Sequence, residues 1–245
     1  MTEQLSTTMS RPTLEVSTSV STAAHREYRG AAIAAGVLYI TGTVAGILSK
    51  VVLSSVSSAA DPVAAASTHQ VAVVTGALLI LLMGLSLALI PVVLMPVLRP
   101  VSEFLAYGYL VIRGAVETAG YVVVAAGVLT LVTLSELGGP DETWRELGRV
   151  LVDSEAMATV LTLVFCLGAA LFYLALFRSQ IAPLWVSVWG LVGIPIYVAA
   201  ALLAAFGAIE MDSTAQTLLF MPLALQEMVL AVWMIARGFR PARVR

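Results

Sequence analysis

Six long apolar runs constrain this chain more than anything else in it. They fall at about residues 31–52, 71–95, 105–134, 156–177, 184–208 and 216–236. A helix needs about 20 mostly apolar residues to cross roughly 30 Å of hydrocarbon. Such a segment must also satisfy all its backbone polar groups internally, which a helix does. The runs fill well over half of the 245 residues. The connections left over are too short for a soluble domain of about 50 residues. The expected fold is all-α: one polytopic integral membrane bundle of six transmembrane helices over residues 30–238.

Composition agrees. Charged residues make up 11% of the chain, against about 25% in a soluble domain. Mean hydropathy is +0.97. That excludes an ordinary soluble enzyme, as well as collagen-like, disulfide-framework and mostly disordered chains. Net charge is only −2, so nucleic acid is not an expected partner. The expected partner is the lipid bilayer, with a homo-oligomer or a membrane protein partner left open. Residues 1–29 are rich in serine and threonine and read as a disordered cytoplasmic tail. Residues 239–245 read as a short basic one. The first apolar run is too long, and too far from the start, for a cleaved signal peptide, so it reads as a retained span.

Lysine and arginine set the expected orientation. With the N-terminus cytoplasmic, Arg11, Arg26, Arg29, Arg99, Arg178, Arg237, Arg240, Arg243 and Arg245 lie inside. Only Lys50, Arg145 and Arg149 then lie outside. Six spans return the C-terminus to the cytoplasm as well. The longest outer loop contains Asp141-Glu142-Thr143-Trp144 and apolar positions 144, 147, 150 and 151, which predict a short surface helix capped by Asp141. Gly42 and Gly46, and Gly190 and Gly193, suit close helix packing. Trp185, Trp189 and Tyr107 fall near predicted inner interfaces, and Pro91, Pro195 and Pro222 mark expected kinks.

Three charges lie inside the spans: Arg113, Glu117 and Glu227. Each costs a few kcal/mol or more at the bilayer centre unless it is paired or wet. Arg113 and Glu117 are four apart and share a helical face. At 1.5 Å per residue they lie about 12 and 18 Å in from one side, and Glu227 lies about 16 Å in from the other. A single cluster of spans three and six would therefore neutralise Arg113 and leave one surplus carboxylate. Gln226, beside Glu227, and Tyr121, four residues past Glu117, are the expected hydrogen-bonding members of that cluster.

Other candidates are weaker. His69, near Asp61, invites a metal reading, but one histidine is more often an interfacial residue. Ser154 reads as a helix cap and Cys166 as a small core hydrophobe. His25 and His69 are too far apart for a paired ligand motif. There is no phosphate loop, G-x-S-x-G or H-E-x-x-H. No catalytic residue, metal or cofactor is expected.

The stretch Phe177-Arg178-Ser179-Gln180-Ile181-Ala182-Pro183, followed by Trp189-Gly190, resembles a segment of a bacterial membrane family, domain of unknown function 4386. Asp61-Pro62 and Arg113 are similar to the same pattern, and the resemblance covers most of residues 30–240. Where that family usually carries an asparagine after the loop aspartate, this chain has Ala64, Ala65, Ala66 and Ser67. The resemblance implies a six-helix protein of the bacterial plasma membrane and no particular activity. Three functions stay open. One is small-solute transport or sensing through the Arg113, Glu117 and Glu227 cluster. A second is an accessory or structural subunit in which the cluster holds helix register. A third is an intramembrane enzyme on an apolar substrate, with a glutamate as base; no nucleophile–base pair supports it.

Overall fold

The computed structural model describes residues 11–137, 142–152, 154–210 and 213–239. Among them there is no strand. The elements are α1 (Arg11–Ser57), α2 (Pro62–Thr68), α3 (Gln70–Leu98), α4 (Glu103–Tyr109), a π-helical segment (Leu110–Glu117), α5 (Thr118–Leu137), α6 (Glu142–Val152), α7 (Glu155–Ser179), α8 (Leu184–Ala205) and α9 (Thr214–Arg237). Six stretches are long and apolar enough to cross a membrane. They are Tyr28–Ser57, Gln70–Leu98, the continuous Glu103–Leu137, α7 within Glu142–Ser179, Leu184–Ala205 and Thr214–Arg237. The protein is a helical membrane protein, and its spans match the six apolar runs to within a few residues.

Two boundaries differ from expectation. α1 begins at Arg11, so the serine- and threonine-rich leader is helical from there on; residues 1–10 lie outside the described residues. A span already nucleates the helix, and adding residues to an existing helix is far easier than starting one. The fifth span ends at Ala205, and Gly207, with φ +71°, takes the left-handed turn that follows. The surface helix α6 is present, but its expected cap Asp141 lies outside the described residues, as does the tail from 240 onward.

Side chains cap the N-termini of α2, α4, α7 and α9. Asp61 accepts from Ala64 N at 3.0 Å and Pro62 occupies the first turn of α2. Ser102, Ser154 and Ser213 each accept a backbone N–H from three residues on, at 3.3 Å. Each bond satisfies a donor that the first helical turn leaves unpaired. α3, α8 and α9 run on through Pro91 and Pro96, Pro195 and Pro222 respectively. Arg29 donates to Ala236 O at 3.3 Å, satisfying a carbonyl at the C-terminus of α9.

The six spans form a ring in chain order. Each packs on its predecessor and successor, and α9 closes the circle against α1. Small residues let the helices approach. Gly42 and Gly46 both face α3, where a Cβ would meet Leu87 and the Met83 sulfur at 3.1 and 2.6 Å. That pair therefore serves packing within the bundle. Gly190 lies against the Tyr173 ring of α7, and Gly193 against Leu223 of α9.

The apolar core has two parts. One draws on all six spans at the end of the bundle that carries the short turns 99–102 and 180–183. The other, at the end that carries α2 and α6, joins only α1, α2, α3 and α5, with Trp144 and Leu151 of α6 packed on it. Spans four to six contribute nothing to this second core. The first core thus spans the whole bundle at the turn end, and the second joins only the first three spans at the α2/α6 end.

Gly190→Val should destabilise the bundle by about 1–3 kcal/mol, the usual cost of overpacking. A new Cβ there would lie 2.7 Å from the Tyr173 ring. Thermal unfolding in detergent measures this, and an unchanged midpoint would contradict the described contact of α7 and α8.

Candidate functional site

Where the two cores meet, the ring encloses the three intramembrane charges. Arg113 and Glu117 stand on the π-helical segment, and Glu227 comes across the ring from α9. Arg113 Nη1 lies 3.5 Å from Glu117 Oε2, and Arg113 Nη2 lies 3.7 Å from Glu227 Oε1. The side chains of Arg113 and Glu117 are 2% and 1% exposed, and that of Glu227 is 14% exposed. One cation thus faces two carboxylates, as the sequence predicts.

The guanidinium is also held by rings. Its Cζ sits 4.9 Å from the centroid of Phe165 on α7 and 5.5 Å from that of Tyr39 on α1. Cation–π attraction of this kind is worth about 2 kcal/mol where water is excluded. Arg113 therefore touches groups from four of the six spans: its own, α1, α7 and α9. The sequence reading missed these aromatic partners. Tyr109 stacks on Phe172 with centroids 4.9 Å apart, and its hydroxyl lies 3.4 Å from that of Tyr39. On the other side of the triad Tyr197 stacks on Phe220 at 3.9 Å.

The π-helical segment was likewise unforeseen, and it has a local cause. The inward positions of the third span run 105, 109, 113, 117, 121 and 125, each four after the last. In an α-helix a four-residue step overshoots a full turn by about 40°. Repeated, it would carry these side chains around the helix and out of the ring. A wider i→i+5 turn removes that drift. Thr118 ends the segment, and its hydroxyl donates to Arg113 O at 3.2 Å and reaches Gly84 O at 3.5 Å. Strict four-residue spacing of the inward residues is the sequence signal for such a segment.

The two hydrogen-bonding residues expected around the triad behave differently. The Tyr121 side chain reaches the Glu117 carboxylate and packs against Gly84, where a Cβ would be 2.8 Å from its own. Gln226 does not join the charges. It is fully buried, accepts from Tyr173 Oη at 2.6 Å and donates to Val186 O at 3.0 Å. Adjacent residues on a helix point about 100° apart, so Gln226 binds α7 and α8 together while Glu227 faces Arg113. Three polar atoms of the triad, Arg113 Nε, Glu117 Oε1 and Glu227 Oε1, have no hydrogen-bond partner.

His69 is placed elsewhere. Its Nδ1 lies 2.8 Å from Thr68 Oγ1 and 3.0 Å from Ala65 O. Asp61 is engaged as the α2 cap, and no group of three or more metal-ligating residues exists among the described residues. Cys166 is buried and free.

A family profile, described as Domain of unknown function (DUF4386), matches residues 34–238. The chain belongs to this family. Comparison with curated proteins and with solved structures gives no match. The segment that carries the DUF4386 resemblance turns out to build the fold. Ser179 donates to Ala175 O at 2.7 Å, Gln180 turns left-handed at φ 53°, and Ile181 and Ala182 are buried in the core. Pro183 then leads into α8, and Gly190 admits the Tyr173 ring. Of the DUF4386-like residues, Arg113 alone lies at the charge centre.

Arg113→Ala should cost about 3–5 kcal/mol, because it leaves two buried carboxylates with no cation. Glu227→Gln should stay within about 1 kcal/mol of the wild type, since it removes only the surplus carboxylate and keeps the shape. Paired unfolding curves in detergent compare the two. Equal stability of both variants would show that Arg113 is not the neutralising hub.

Proposed function

We propose that this is a multi-pass protein of the bacterial plasma membrane that transports or senses a small solute through the Arg113, Glu117 and Glu227 centre. The observation that carries this reading is the incomplete satisfaction of the triad. Both ion pairs are long, one carboxylate is in excess, and three polar atoms lack hydrogen-bond partners. A purely structural lock is expected to close its hydrogen bonds, because each unpaired buried polar atom costs about 1–3 kcal/mol. Intramembrane charges left in this condition mark ligand or proton pathways. Local π turns are also frequent at functional sites.

In this reading both termini face the cytoplasm, and α2 and α6 lie on the outer surface. Arg29, Arg99, Arg178 and Arg237 then fall inside, as the positive-inside bias requires. Solute reaches the centre from the α2/α6 end, where spans four to six take no part in the core.

A second reading has one observation in its favour. Arg113 links four spans, so the centre also serves as a register device for an accessory subunit. Water access separates the two. In a Cys166→Ala background, Glu227→Cys should react with a membrane-impermeant methanethiosulfonate applied from outside to intact cells. A folded variant that reacts only after denaturation would make the centre a dry lock and remove the transport or sensing reading.

A further inference from the structure

We propose that the centre binds a small organic ammonium ion, held by Glu227 and by the aromatic rings on the α2/α6 side of the triad. This rests on the preceding reading of the site and names its ligand. The charge balance comes first. Arg113 is matched by Glu117 on its own helix and packed between Tyr39 and Phe165. Glu227 is the second carboxylate on the one cation: its Oε1 lies 3.7 Å from Arg113 Nη2 and accepts no hydrogen bond. A site with one excess negative charge in a low-dielectric interior selects a cation.

The walls argue next. On the turn side of the triad the rings are sealed: Tyr39, Tyr109, Phe172 and Tyr173 are all essentially buried. On the other side Tyr121, Phe165, Tyr197 and Phe220 are each partly exposed, as is Glu227. None of residues 156–165 of α7 is buried, and that end of spans four to six is absent from the second core. The α2/α6 side of the centre is therefore lined by incompletely buried aromatic rings, three of which also pack on the first core, with the Glu227 carboxylate beside them. Ring faces attract a cation that has shed its water, most of all an alkylated ammonium whose charge is spread over apolar groups. An inorganic cation would need several oxygen ligands, and among the described residues no group of three or more side chains able to ligate a metal comes together. An anion would need Arg113 free, and two carboxylates already face it.

The probe is benzyltrimethylammonium, titrated into the purified full-length protein in detergent by isothermal calorimetry, with benzenesulfonate as an anion of similar size. Saturable binding of the cation, and none of the anion, is expected. Glu227→Gln should weaken it at least about tenfold, the effect of losing one desolvated charge contact. Tyr197→Ala should weaken it too, and Tyr197→Phe should retain it. The proposal is overturned by absence of saturable binding up to the millimolar range, by equal affinity in Glu227→Gln, or by benzenesulfonate binding as tightly as the cation. Should Glu227→Cys prove reactive from outside while the cation fails to bind, the centre is a wet site for another solute. Should both fail, the reading of the centre as a transport or sensing site falls as well.

Discussion

The structure turns on a single buried cation. Hydrocarbon offers Arg113 no solvation, so the spans must supply it from their own side chains. They do so from around the circle: a carboxylate one turn along, another across the ring, and an aromatic face from each of two further spans. Helices in a bilayer gain little from burying apolar surface against each other, because lipid tails are equally apolar. A charge that only a particular set of neighbours can satisfy therefore does what the hydrophobic effect does in water. It favours one arrangement of spans over the many that pack nearly as well.

The backbone of the third span bends to that demand. Residues spaced by four cannot all face the axis from a regular α-helix, and the π-helical segment Leu110–Glu117 lets them do so. Thr118 binds the Arg113 carbonyl from the end of that segment. The same segment that carries the charge is thus the one whose hydrogen bonding departs from the rest of the bundle. Glycines complete the arrangement where bulky residues cross between helices, as at Gly84 under Tyr121 and Gly190 under Tyr173.

Much of this was legible before any coordinates. Apolar run length gave the six spans, since about 20 consecutive apolar residues are what a helix needs to cross a bilayer. Depth arithmetic on Arg113, Glu117 and Glu227 gave their meeting, because span direction and rise per residue fix the level of every side chain. The rings around Arg113 were not legible. Phe165 and Tyr39 look like any apolar residues in a span, and only the order of the helices around the ring shows that they converge. Gln226 was misread for a related reason: depth assigns a level but not a direction, and one residue's rotation carries it from the charges to Tyr173 and Val186. The leader was misread because composition describes a free segment, while residues from Arg11 onward extend a helix already formed.

The residues that carry the family resemblance and those that carry the charge serve different ends. Ser179, Gln180, Ile181 and Pro183 form a tight turn between two spans, and Gly190 seats a ring; Ser179 is bonded to the backbone of α7, Ile181 is buried, and Gln180 supplies the left-handed turn. Glu227 is the opposite case. It brings a second carboxylate to one arginine, through an oxygen that accepts no hydrogen bond. Charge balance is complete with Arg113 and Glu117 alone, so the contact of Glu227 with Arg113 ties α9 to the centre but adds a net negative charge there. The second carboxylate is intelligible once a second positive charge, absent from the chain itself, belongs beside it.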